Sequence, residues 1–192
     1  MAALHQRLVF DTARGAVLDD KRRYVLVRAD VLAGLFAELE GDAREAALQA
    51  FGRSVTTYGA DSIRAYRIAV GRDALVPMME GAAASLGWGR WRFDAERIDD
   101  EPLPRLDLVV EDSPFAGPAL RGTQPVCHAI VGMLAALGDA LWSCAVEARE
   151  THCAATGGDA TCSFVVAPRA PAGTDRPEPP PARRPSPPGE PS

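Results

Sequence analysis

The chain has 192 residues, of which 47% are hydrophobic and 24% charged, with a formal net charge of −5. That length suits one domain with a core large enough to need no disulfides. The acidic balance excludes a general nucleic-acid binder, which needs a basic surface, and no stretch approaches the ~20 apolar residues that span a bilayer.

In chain order, LVFD (8–11) and RRYVLVR (22–28) are short β-rich runs on either side of Gly15 and the Asp19-Asp20-Lys21 turn. They predict a hairpin. Asp30 is an N-cap candidate ahead of Val31, Leu32, Leu35, Phe36 and Leu39, which recur at helical period. Asp42 is expected to open a second helix, AREAALQAFGRSVTTYG, and Asp61 a third, SIRAYRIAV. Asp73 precedes a fourth, ALVPMMEGAAASLG, with Pro77 in its first turn and the Gly87-Trp88-Gly89 cluster ending it. The period then changes to two. WGRWRFDAERI (88–98) and LDLVVED (106–112) predict consecutive strands joined by a loop with Pro102 and Pro104. An apolar helix is expected over 126–142, and two last strands, 144–153 and 161–166, flank the turn ATGGDA.

The pattern is α+β, with helices grouped early and an antiparallel sheet crossed by one long apolar helix. From Ala167 onward the chain holds ten of its sixteen prolines and almost no large apolar side chain. Such a segment cannot offset its ordering entropy, so 168–192 is expected to be a disordered tail with polyproline II character, and 1–167 a single domain.

The N-terminus lacks an apolar run of signal-peptide length, so a cytoplasmic protein is expected. Thiols stay reduced there, and the four cysteines read as metal ligands or buried core before they read as disulfides. Glu150 and Cys153 lie three apart at the end of one strand, Cys162 follows across a Gly-rich turn, and Cys127 starts the apolar helix, where a helix N-terminus favours a thiolate. Three thiolates and a carboxylate suit a tetrahedral zinc with no position open for water, which makes the site structural. Inert burial is the competing reading, since there is no paired C-x-x-C and cysteine is among the most buried residue types. Cys144, in a strand with apolar neighbours, fits that reading.

Three stretches carry a resemblance: DSPFAG (112–117), QPVCHAIVGMLAALGDAL (124–141) and VEARETHCAATGGDATCSFVV (146–166). The region 86–166 resembles the 4-vinyl reductase domain, which occurs in a protein of bacteriochlorophyll biosynthesis and in the sensor region of phenol- and xylene-responsive bacterial activators. The matching motifs are Pro125-Val126-Cys127, Glu150-Thr151-His152-Cys153 and Cys162. The resemblance implies a structural zinc on Cys127, Glu150, Cys153 and Cys162. It also implies a twisted antiparallel sheet with packed helices, like the small TRAPP subunits, and a homodimer. Two departures stand out. The last turn is one residue longer than the family pattern, with a bulge expected at Gly157-Gly158. Val110 stands where the phenol sensors carry a ligand-contacting tryptophan, so phenol itself is expected to bind poorly.

Trp88, Val110 and Phe115 are the candidate ligand-pocket residues, against the alternative that they are simply core. His128 and His152 neighbour the ligand set, and alternation gives His152 a surface role. No nucleotide fingerprint, Ser-His-Asp order or spaced acid pair stands out. The favoured reading is a zinc-stabilised, non-enzymatic sensor or carrier for a small hydrophobic or aromatic molecule. The alternatives are an accessory protein or reductase of tetrapyrrole biosynthesis, and an interaction scaffold.

Overall fold

A computed structural model describes residues 4–157 and 159–169; the expected tail lies outside the described residues from 170 on. A short helix α1 (Leu4–Arg7) leads into three antiparallel strands, β1 (Val9–Asp11), β2 (Ala16–Asp19) and β3 (Arg22–Tyr24), in that spatial order. The expected hairpin is thus a three-stranded sheet. AVLD is short enough to pass for part of one long turn, yet it forms the central strand, pairing Val17 with both Phe10 and Tyr24. Val25, Leu26 and Val27 lie beyond β3 and are exposed.

Helix α2 (Ala29–Ala37) follows, and then α3 (Gly41–Val70), a single helix of 30 residues where the sequence predicts two. Asp61, read as an N-cap, sits instead on the solvent face and pairs with Arg64 at 2.8 Å. Gly59 costs a helix interior about 1 kcal/mol. It is carried through because α3 packs along α5, with Met133 of that helix in van der Waals range of the Gly59 position. Helix α4 (Leu75–Leu86) ends as expected, on Gly87 in a left-handed conformation (φ 72°).

The second sheet holds β4 (Arg90–Asp94), β5 (Leu106–Glu111), β6 (Val146–His152) and β7 (Thr161–Pro168) in the order β4-β5-β7-β6, antiparallel throughout. Strand β7 runs through Pro168, and the Arg169 N–H donates to Ala145 O at 2.8 Å, so ordered chain extends past the expected boundary at 167. Leu106, Leu108 and Val110 of β5 alternate inward with Asp107, Val109 and Glu111 outward. Opposite them, Val166, Phe164 and Cys162 of β7 share the buried face.

Helix α5 (His128–Trp142) lies across that face and is itself covered by α3. Two glycines allow the stacking. A Cβ at Gly132 would stand 2.1 Å from Gly52 O of α3, and one at Gly138 would stand 2.8 Å from Val166 Cγ2 of β7. Where the two helices touch, the Thr56 hydroxyl donates to Gly132 O at 3.0 Å. Sheet, α5 and α3 therefore form three layers, with α5 in the middle.

Candidate metal centre

Cys127, Glu150, Cys153 and Cys162 converge at the N-terminal end of α5, their ligand atoms all within 4.8 Å of one another. Each arrives by a different route. Cys127 is the residue before the first turn of α5, and Cys162 lies in β7 opposite Val110. Strict alternation would put Glu150 and Cys153 on opposite faces of β6, because they are an odd number of residues apart. A register shift between Glu150 and His152 inserts one unpaired residue, Thr151, and turns Cys153 back to the side that Glu150 faces. This bulge lies inside the strand; of the pair Gly157-Gly158, where the sequence expects one, Gly157 takes a positive φ of 106° and Gly158 lies outside the described residues.

The three sulfurs are buried, with Cys127 and Cys162 at 0% exposure. Cys127 Sγ lies 3.7 Å from Cys162 Sγ and 3.5 Å from Ser113 Oγ, and the Ala154 N–H donates to Cys162 Sγ at 3.3 Å. Glu150 Oε2 accepts the Cys127 N–H at 3.0 Å, so the carboxylate caps the open end of α5. Its other oxygen, Oε1, is buried and has no hydrogen-bond partner among the described residues.

Without an ion, the hydrogen bonds within the cluster favour a thiolate at Cys153. Hydrogen bonds from the Cys127 and Cys162 thiols pull Cys153 far below the ordinary thiol range. Donation to Cys153 and Cys162, with burial, pushes Cys127 strongly up. Cys162 is drawn down by Cys127, but donation to Cys153, burial and the Cys153 charge outweigh that and push it up to about 12. Burial, then the Cys153 charge, raises Glu150 to about 8 despite the Cys127 N–H. At the helix start the Cys127 N–H is taken by Glu150, so this backbone donor does not serve the Cys127 sulfur. Three soft donors and an orphaned carboxylate oxygen converging in a buried pocket can hold a metal ion, which would supply the positive charge the ligand set lacks.

The neighbouring residues divide differently. Cys144 is exposed, two residues ahead of β6, which corrects the expectation of a buried strand cysteine. It stands apart from the cluster. His152 is part-exposed, with Nε2 3.5 Å from Asp159 Oδ2, and His128 Nε2 lies 3.4 Å from Glu45 Oε1. Neither contact has the geometry of a hydrogen bond, so each is an ion pair only when the imidazole is protonated.

Of the three pocket candidates, Phe115 lines a closed apolar cavity of about 10 Å³, together with Leu32 and Phe36 of α2, Leu48 and Phe51 of α3, and Val126. Trp88 packs edge-on against Phe115 with ring centroids 5.0 Å apart, outside the lining. Val110 is fully buried in the sheet face between Trp91 and Cys162. The cavity thus sits under α2, between that early helix, α3 and the segment that carries Phe115. The α2 and α3 residues that wall it were visible only as helix-period apolar positions. A larger open cleft of about 420 Å³ lies elsewhere, between Arg72, Glu80, Phe93 and Ile98.

Fold and site together define an α+β domain with a buried three-cysteine, one-glutamate centre where a strand hairpin meets a helix. The family model that matches is the 4-vinyl reductase domain, over residues 106–168, from β5 to the end of β7. No curated protein matches the chain. Among solved structures, the chain superposes on the phenol-responsive sensory domain of the transcription activator PoxR, crystallised with phenol, at a TM-score of 0.70 and 21% identity, covering 86% of each chain. At that identity the likeness establishes the fold. A vinyl-4-reductase family protein from Methanocaldococcus jannaschii aligns at a TM-score of 0.46 and 14% identity, over 72% of this chain and 74% of that one.

Proposed function

We propose that this chain is a zinc-stabilised domain that binds a small hydrophobic or aromatic molecule, as a sensor or carrier, and works as a homodimer in a reducing cytoplasm. The observation that carries the ligand reading is the wholly apolar cavity beneath α2, walled by Phe36, Phe51 and Phe115 and lying beside the start of α5. Its volume of about 10 Å³ is that of a single water site, far below the ~300 Å³ or more of ligand pockets. Admission of an aromatic ring therefore requires α2 to move outward. This helix is suited to doing so: Val31 and Leu35 on its outer side are 58% and 62% exposed, so no described layer covers it. The 4-vinyl reductase domain match and the PoxR-like fold support the same reading. No polar side chain lines the cavity, which favours an alkylated aromatic over phenol, whose hydroxyl would lose its hydrogen bonds at a cost of ~1–3 kcal/mol.

Zinc is the ion proposed for Cys127, Glu150, Cys153 and Cys162. Two sulfurs each about 2.3 Å from a tetrahedral centre stand about 3.8 Å apart, against 3.7 Å between Cys127 and Cys162. Four protein ligands leave no site for a reacting water, so the ion's part is to hold strand hairpin and helix together.

Calorimetric titration with xylenes, phenol and a tetrapyrrole precursor tests the ligand reading. Xylene is expected to bind more tightly than phenol, and Ala33→Trp, which fills the cavity, to abolish binding. Binding of every ligand unchanged in Ala33→Trp would place the site elsewhere, and binding of the tetrapyrrole alone would replace the sensor reading with one in that pathway.

A further inference from the structure

The four-stranded sheet ends at β4 on one side and β6 on the other, and the two edges differ. The β4 edge is guarded, since Glu80 of α4 accepts the Phe93 N–H at 2.8 Å. No strand among the described residues pairs with the outer edge of β6. The direction of each peptide group along β6 follows from its inner partner. The Arg169 N–H donates to Ala145 O, which makes Ala145–Arg169 a hydrogen-bonded pair. In steps of two, Glu147–Ala167 and Arg149–Val165 are hydrogen-bonded pairs as well. Val146, Ala148 and Glu150 therefore turn their N–H and C=O groups outward, away from β7.

We propose that this edge receives a second copy of the chain, β6 against antiparallel β6 about a two-fold axis at Ala148, joining two four-stranded sheets into one. This rests on the homodimer reading and supplies its interface; it is independent of the ligand. Backbone and side chains select the same register. With the axis at Ala148, Ala148 faces Ala148 and Val146 faces Glu150 as hydrogen-bonded pairs, which uses the outward groups of all three residues in about six bonds. The same register sets Glu147 opposite Arg149 of the other copy, twice, in the non-hydrogen-bonded pairs where side chains approach most closely. Both residues are exposed, and neither makes an ion pair among the described residues. Moving the axis by one residue would stack Arg149 on Arg149 or Glu147 on Glu147. Charges that merely blunt an edge repel a second copy when they share a sign. Opposite signs placed symmetrically about a small alanine attract one.

Sedimentation equilibrium of the full chain at low salt tests this. The wild type is expected to be a dimer. Glu147→Arg and Arg149→Glu should each weaken it by about tenfold or more, and the double reversal Glu147→Arg/Arg149→Glu should restore it, with circular dichroism unchanged throughout. Should a single reversal fail to fold, a salt titration of the wild type decides, because the cross-strand ion pairs predict a dimer that loosens as salt rises. A salt-indifferent dimer, or one untouched by folded single reversals, overturns the edge and leaves the homodimer. A wild type that stays monomeric at its solubility limit overturns both.

Discussion

The first 35 residues and the segment from β5 onward bury their apolar residues to very different degrees. From β5 onward, Leu106, Val110, Leu134, Leu137, Cys162 and Val166 are all at 0% exposure, and α5 is covered on both sides. In the first 35 residues, Phe10, Val25, Leu26, Val31 and Leu35 are all more than half exposed. The later half is closed because a sheet, a helix and a second helix are stacked on one another and tied at one end by the four-residue cluster. The early half is a small sheet and a short helix with one covered side each. Burial is thus concentrated around the four-residue cluster, and the least covered elements, α2 among them, include the one that lies over the cavity.

On the zinc proposal, removing the ion should break the closed half most severely. Structural zinc contributes about 10–16 kcal/mol of apparent binding free energy, as much as a domain's whole net stability of about 5–15 kcal/mol. Cys153→Ser should lose both the ion and the soluble fold, read by metal analysis and circular dichroism; stoichiometric metal in a Cys127/Cys153/Cys162 triple variant would defeat the assignment. Chelation should strip amide protection from β5, β7 and α5 in hydrogen exchange, a larger change than in β1–β3.

The layer contact between α3 and α5 comes next. Gly132→Ala places a methyl against Gly52 O, and overpacking of this kind costs about 1–3 kcal/mol, partly offset by alanine's better helix propensity of up to about 1 kcal/mol. The urea midpoint should fall measurably; an unchanged midpoint would mean that the helices stand farther apart.

Acidity should tune the metal centre more gently. Glu150, raised to about 8, holds its proton at neutral pH, as do Cys127, pushed strongly up, and Cys162, pushed up to about 12. An ion must displace all three, so near pH 7 binding should release about three protons and tighten as pH rises, with the slope easing once Glu150 ionises on its own. Competition with a chromophoric chelator across that range checks the sign. Affinity that is flat with pH would mean that the ligands are already deprotonated.

The smallest effects should fall outside both halves' cores. Cys144→Ser, at an exposed position, should leave metal content unchanged and stability within about 0.5 kcal/mol. Ending the chain after Arg169 should leave the melting temperature where it was.

That Cys127, Glu150, Cys153 and Cys162 would converge was legible in the sequence because three cysteines and an acid grouped about one turn are chemically distinctive. How they meet was not. The bulge at Thr151 leaves no compositional trace, since any residue can be the unpaired one. Helix α3 was hidden for the opposite reason: Gly59 and Asp61 send strong local stop and start signals that packing on α5 overrides. The α2 and α3 walls of the cavity were not legible, because they are ordinary helical apolar positions that only the tertiary fold brings to Phe115.

Thr151 itself has one further consequence. It divides β6 into two phases: residues before it alternate in step with α5 and β7, and residues after it run half a period out of step. What the centre needs at this position is therefore a count and not a chemistry. Almost any side chain could stand at the exposed Thr151, and deleting it would only return the strand to strict alternation with Glu150 and Cys153 two apart on one face, whereas drawing Thr151 into the ladder would swing Cys153 to the solvent side. The unpaired position, and not the identity of the residue in it, keeps Cys153 on the side that Glu150 faces, a requirement that a comparison of residue types alone would never register.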